Sequence, residues 1–274
     1  THIAETNTSG DYGFFKIVST LAWGLGYFGM PHILVRFMSI EKPSMIKKSS
    51  IVAIVWVIIS LFSAVLIAYF GRMVMGAELL TQGNQKLVFI AMARKFFPAG
   101  ICGLLLAAII AASISTADSQ LLVASSSFTA DLYKPFFRKN ASEKETLMVG
   151  RILVLILSLI AFGIANSKGS GAQAIMDMVE NAWGAFGASF GPTILLSLFW
   201  KRFNYQGAVA GVISGFVVDL GWLLTGMTDA TGIFEIIPGF FASLLIAVVV
   251  ANLTAEPNEK AVEIFEQGIK AETE

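Results

Sequence analysis

Cysteine is almost absent from this chain. The single Cys102 rules out an internal disulfide and any cysteine-built metal cluster. Histidine is nearly as scarce: His2 and His32 stand far apart, which argues against a zinc enzyme. Charged residues make up 14% of the sequence and balance to a net charge of zero, so nothing points to nucleic acid as a partner. No nucleophile elbow, P-loop or dinucleotide fingerprint occurs, and no constellation supports an enzyme. Residue 1 is Thr, and the opening THIAETNTSGDYG has neither the basic nor the apolar region of a signal peptide. Residues 1–13 are therefore expected to be a polar extracytoplasmic loop in a piece of a longer membrane protein.

Apolar residues are what the chain has in abundance. They make up 55% of it, and the mean hydropathy is +0.73. Seven apolar segments, at about 14–38, 51–70, 99–129, 147–165, 174–200, 207–225 and 233–253, approach or exceed the roughly 20 residues that cross a bilayer core. The stretch 76–97 is amphipathic and too polar to span, so it predicts short helices at the membrane surface. Residues 254–274, with six glutamates and two lysines, predict a solvated, partly helical tail.

If the segments alternate in direction, one side of the bundle receives Arg36, Lys42, Lys47, Lys48, Lys134, Arg138, Lys139, Lys144, Arg151, Lys201, Arg202, Lys260 and Lys270. These are 13 of the 19 basic residues, so that side is expected to be cytoplasmic, with the C-terminus on it and the N-terminus outside.

The third segment is unusual. AAIIAASISTADSQLLVASSSF, from Ala107 to Phe128, has the length of a membrane helix but is loaded with hydroxyls and carries Asp118. Polar groups at that depth are costly and usually face a bundle interior, a cavity or an ion path. At helical spacing Ala112, Ser115, Thr116 and Ser119 share one face. Two hydroxyls, with the Ala112 carbonyl if the helix loosens there, offer oxygens to a small hard cation, and a sodium site is the first reading.

Two segments look interrupted. LAWGLGYFGMPHILVRF holds Gly24, Gly26, Gly29 and Pro31, and NAWGAFGASFGPTILLSLFW holds Gly184, Gly187, Gly191 and Pro192. Proline and glycine favour breaks, and a break is tolerated in a membrane only where protein or a watery cavity supplies partners. Such breaks point to a transporter's substrate site. For the fifth segment, close helix packing is the stronger alternative. In the first, Trp23, Tyr27 and Pro31 recur at i, i+4 and i+8, so an indole and a phenol would cover an apolar substrate and donate to its carboxylate. An interfacial aromatic belt is the competing reading.

LAWGLGYFGMPHILVRFMS, AAIIAASISTADSQLLVASSSFTADLYK, AWGAFGASFGP and FEIIPGF together resemble the sodium:solute symporter family, and within it the bacterial sodium/proline symporters, from about Gly13 to Leu253. The resemblance implies an all-α membrane protein of the LeuT type, built on two inverted five-helix repeats. Residues 14–200 would be the second repeat, including the surface helices at about 76–97, and 201–253 two peripheral helices. It further implies that Ala112, Ser115 and Thr116 bind sodium together with carbonyls of the first repeat, which lies in a missing N-terminal half. Trp23, Tyr27 and Pro31 would bind substrate. Met30 and Asp118 depart from the proline-carrier pattern, which has a glutamine and an uncharged residue there.

The expected activity is sodium-coupled import of a small organic solute, L-proline first, across the cell (inner) membrane. Pantothenate, sugars and organic acids are alternative solutes, and a symporter-like sensor domain is the alternative role. The implied partners are the co-transported sodium ion, the small-molecule substrate and the lipid bilayer. Asp118 lies about 200° around the helix from Thr116, which sets it off that cation; a water-filled vestibule or a structural pair is expected for it. His32 is read equally as a proton-coupling or a structural residue. Glu235 is read as a hydrated cap or loop anchor, Ser125–Ser127 as bonding back within their helix, and Asp131, Tyr133 and Lys134 as a helix end docking on a loop.

Overall fold

The computed structural model describes residues 13–42, 44–76, 79, 87–167 and 172–273. Among these the secondary structure is entirely helical. The expected extracytoplasmic loop, at 1–12, and most of 77–86 in the amphipathic stretch lie outside the described residues. Among the described residues six helices are long and apolar enough to cross a bilayer. Their apolar side chains turn outward, as a lipid solvent requires.

The chain divides into two compact units, 1–49 with 176–274, and 50–175. The unit 50–175 holds most of α4 (Met45–Met75), then α5 (Val88–Phe96), α6 (Ala99–Ser127) and α7 (Glu143–Ser167). The amphipathic stretch is thus represented by α5, which Val88 packs against Gly71 of α4. Beyond Ser127, α6 widens into a π-helix over Phe128–Phe137 that contains Pro135. Proline lacks an N–H and crowds the carbonyl four residues earlier, and a wider turn relieves both problems. The end of this helix is pinned where the Tyr133 hydroxyl donates to Glu145 Oε1 (2.9 Å) and Arg138 pairs with the same carboxylate (3.1 Å). The expected docking of this helix end is thus seen for Tyr133, on the first turn of α7 rather than on a loop.

The other unit begins with the first apolar segment, which is interrupted before Pro31 as its glycines and proline predict, and more finely than a single break. Instead of one spanning helix there are four pieces: α1 (Phe14–Leu21), α2 (Trp23–Gly26), a 3₁₀ turn (Tyr27–Gly29) and α3 (Pro31–Met38). None reaches spanning length alone, which is why six long helices appear where seven segments were counted. The break falls at Met30, which is extended (φ −80°, ψ 113°), because Pro31 excludes helical geometry from the residue before it and itself opens α3.

The fifth segment is not broken. α8 (Ala172–Phe199) runs through Pro192 as one helix. Its glycines serve packing: Gly187 lies against Gly26 and Ile236, and Gly191 against Phe240. The same unit contains α9 (Tyr205–Leu224), the short α10 (Met227–Thr231), α11 (Ile236–Leu253) and the tail helix α12 (Glu259–Thr273).

α9 and α11 form a close antiparallel pair. Gly207, Gly211 and Gly215 recur every fourth residue on α9 and meet Gly239, Ser243, Ala247 and Ala251 on α11. A methyl group on Gly207 would stand 2.8 Å from both the Ala247 carbonyl and Ala251 Cβ, so only glycine admits this approach. Gly226 and Gly232, at φ +68° and +71°, bracket α10 and turn the chain back into α11. Glu235 is 1% exposed. The hydrated-cap reading is thus corrected, while the loop-anchor reading fits: Thr228 of the preceding connection donates to this carboxylate at 2.9 Å.

Candidate functional site

The broken segment is held by aromatic contacts from two distant parts of its own unit. Trp23 stacks against Trp183 of α8 and Phe234 before α11, each with ring centres 5.9 Å apart. The Trp183 indole N–H donates to the Trp23 carbonyl at 2.9 Å, supplying a partner where the helix is about to break. Tyr27 presents an edge to Trp183 at 4.8 Å. Beneath these rings Ala22, Ala188, Phe234 and Ile236 form a buried core. Ser19 ties α1 to the chain before α11, donating to Gly232 O (2.8 Å) and accepting from Phe234 N–H (3.1 Å).

Glycine makes this packing achievable. A Cβ on Gly26 would overlap the Trp183 indole, and one on Gly29 would overlap the Phe186 carbonyl. The structure therefore brings Trp23 and Tyr27 together around one indole and sets Pro31 at the start of the next helix, rather than aligning all three on one continuous face. Trp23 is partly buried in this cluster, whereas Tyr27 is 57% exposed and is the more accessible of the two rings. Met30 is buried.

The hydroxyl-rich face belongs to the other unit. Ser115 Oγ donates to the Ala112 carbonyl at 2.8 Å, and Thr116 Oγ1 approaches the same carbonyl at 3.2 Å. The two hydroxyls thus share the Ala112 carbonyl as acceptor. Ser119 donates onward to the Ser115 carbonyl at 2.8 Å. α6 stays helical through Ala112, so the loosening considered there is not seen. Both hydroxyls instead satisfy a carbonyl inside an intact helix.

Asp118 is exposed and has no ion-pair partner among the described residues. Ser125 and Ser126 bond back to the carbonyls of Leu122 and Val123, as expected.

Three residues around these sites were not singled out from sequence: Trp183, Phe234 and Asp219. Trp183 sits inside a motif that stands out for its glycines and proline, and Phe234 inside one that carries the family resemblance. Asp219 had a signal of its own, a lone acid in the apolar run FVVDLGWLL.

Comparison with known proteins agrees with the motifs. The sodium:solute symporter family profile matches residues 5–215. The osmoregulated proline transporter OpuE of Bacillus subtilis (strain 168) is 41% identical over 250 residues, covering 91% of this chain and 50% of the relative. The high-affinity proline transporter PutP of the same organism is 43% identical over 249 residues, covering 91% and 52%. A sodium/proline symporter of Haemophilus influenzae is 41% identical over 262 residues, covering 93% and 51%. The chain spans about half the length of the curated relatives it matches. With the broken aromatic helix, the hydroxyl-bearing α6 and a family match over most of its residues, this multi-pass membrane chain belongs to the sodium:solute symporter family.

Proposed function

We propose that this chain forms part of a sodium-coupled secondary active transporter that imports L-proline. The observation that carries the reading is that Ser115 Oγ and Thr116 Oγ1 both bond to Ala112 O on one face of α6. Hydroxyls bound back to a carbonyl are neutral, and their protons can rotate to leave a lone pair free. When sodium arrives the two O–H groups swing away, and all three oxygens turn lone pairs toward the ion. Oxygen is the donor a hard cation prefers. Three oxygens are too few to replace a hydration shell, and the first repeat of the transporter supplies the rest.

The broken segment supports proline as the solute. Tyr27, exposed beside the Trp23–Trp183 stack, gives an apolar ring surface for the pyrrolidine and a hydroxyl donor for the carboxylate. Proline transport is what the relatives are named for. Sodium binding favours the outward-open arrangement, and substrate then shifts the population toward closure. The distribution of basic residues supports a cytoplasmic C-terminus in the cell membrane.

The test is uptake of labelled proline by the whole transporter in proteoliposomes, with and without an inward sodium gradient. Accumulation only with the gradient is expected. Replacing both Ser115 and Thr116 by Ala should raise the sodium concentration needed for half-maximal uptake by an order of magnitude or more, each lost ligand being worth roughly 1 kcal/mol or above. Unchanged sodium dependence in that variant sinks the sodium assignment. Sodium-driven uptake of a different solute, with none of proline, sinks the substrate.

A further inference from the structure

Two carboxylates lie buried side by side in the unit that holds the broken segment. Asp219, near the end of α9, and Glu235, the residue before α11, are each 1% exposed. Asp219 Oδ1 and Glu235 Oε1 both lack a hydrogen-bond partner. They border the same small space over α8: a methyl group placed on Gly184 would stand 3.0 Å from Asp219 Oδ1 and 3.5 Å from Glu235 Oε1. The other Glu235 oxygen accepts from Thr228.

Neither acid has a cationic partner among the described residues. α9 carries no other charged group, and α11 carries none. On α10, Asp229 is exposed, as is Lys16 on α1. On α8, Asp177 and Glu180 have interactions of their own.

Two ionised carboxylates in such surroundings would be neither solvated nor paired, and like charges sharing a site resist joint ionisation. Something positive must accompany them. A divalent metal ion is poorly provided for, since calcium and magnesium take six or more oxygens and no group of three acidic, histidine or cysteine side chains gathers among the described residues. A proton needs only one oxygen.

We propose that Asp219 and Glu235 form a buried proton-binding site, in which one carboxyl of the pair is protonated when the chain is folded. The bound proton converts one carboxylate to a neutral acid and leaves its partner as the single buried charge, with Thr228 as a donor to Glu235. The site directly follows both rings that support Trp23: Gly184 comes after Trp183, and Glu235 after Phe234. It does not depend on the sodium or proline reading, and it is tested without transport.

The experiment is infrared spectroscopy of the full chain in lipid nanodiscs at neutral pH, with aspartate and glutamate labelled separately with carbon-13. A carbonyl stretch of a protonated carboxyl is expected, shifting to lower frequency with one of the two labels. The same band should be lost in the double variant D219N/E235Q. The isotope shift is read on the unaltered protein, so the result stands even if the variant misfolds. Absence of the band at neutral pH overturns the proposal, as does a band that survives in the folded double variant. Loss of the band on adding sodium chloride at fixed pH also overturns it, because a metal ion would then be the occupant.

Discussion

At the scale of single residues, the broken segment depends on one indole. Trp183 stacks on Trp23, meets the edge of Tyr27 and donates to the Trp23 carbonyl. Trp183→Phe keeps an aromatic ring but deletes that donor, and should lower stability by about 1 kcal/mol, read as a fall in the midpoint of thermal unfolding. Tyr27→Phe removes a hydroxyl from an exposed ring, so the unfolding midpoint should stay put while the apparent proline affinity of the whole transporter falls by about tenfold. A lowered midpoint with unchanged affinity would make Tyr27 a packing residue. Trp23 and Tyr27 were legible in the sequence because glycine and proline mark a break, and aromatic rings beside a break stand out. Trp183 was not, since its role arises from a contact 160 positions along the chain.

Between elements, small residues decide what can touch. Gly26 and Gly187 meet where α2 crosses α8, while Gly24, two residues away, has nothing within contact range of an added Cβ. Gly26→Ala should therefore destabilise the chain by roughly 1–3 kcal/mol, as overpacking does. Gly24→Ala should be neutral or slightly stabilising, and equal effects of the two on thermal unfolding would refute this crossing. Asn204 caps α9 by accepting from Gly207 N–H (2.9 Å) and donates to the Thr254 hydroxyl (2.9 Å) and the Ala255 carbonyl (2.6 Å). Asn204→Ala should cost about 1–2 kcal/mol, again by thermal unfolding. Pro192 taught the opposite lesson from Pro31. Both were candidate breaks, yet only the glycine-rich turn before Pro31 departs from the helix, whereas α8 carries its proline through a well-packed stretch. Proline removes a hydrogen bond in both places, and neighbouring packing determines whether the helix opens.

For the whole molecule, the tail is joined through an exposed ion pair, Lys201 with Glu266 at 2.5 Å, both side chains at least half exposed. Surface pairs contribute about 0–1 kcal/mol, so Glu266→Gln should leave the unfolding midpoint within error at ordinary salt. Composition alone determined that this is a membrane chain, because 55% apolar residues arranged in runs of spanning length have no other solvent. The family was also legible, since its motifs are local strings. The hydroxyls of α6 could be grouped from helical spacing, a property of about two turns of backbone. Only tertiary structure decided that the first segment divides into four pieces and that α8 does not break. It alone showed that Glu235 lies buried beside Asp219, and that Trp23 is clasped between α8 and the start of α11. Each of these depends on side chains from remote segments filling one space, where a hydrogen bond or a methyl's width settles the outcome, and no local pattern of residues carries that information.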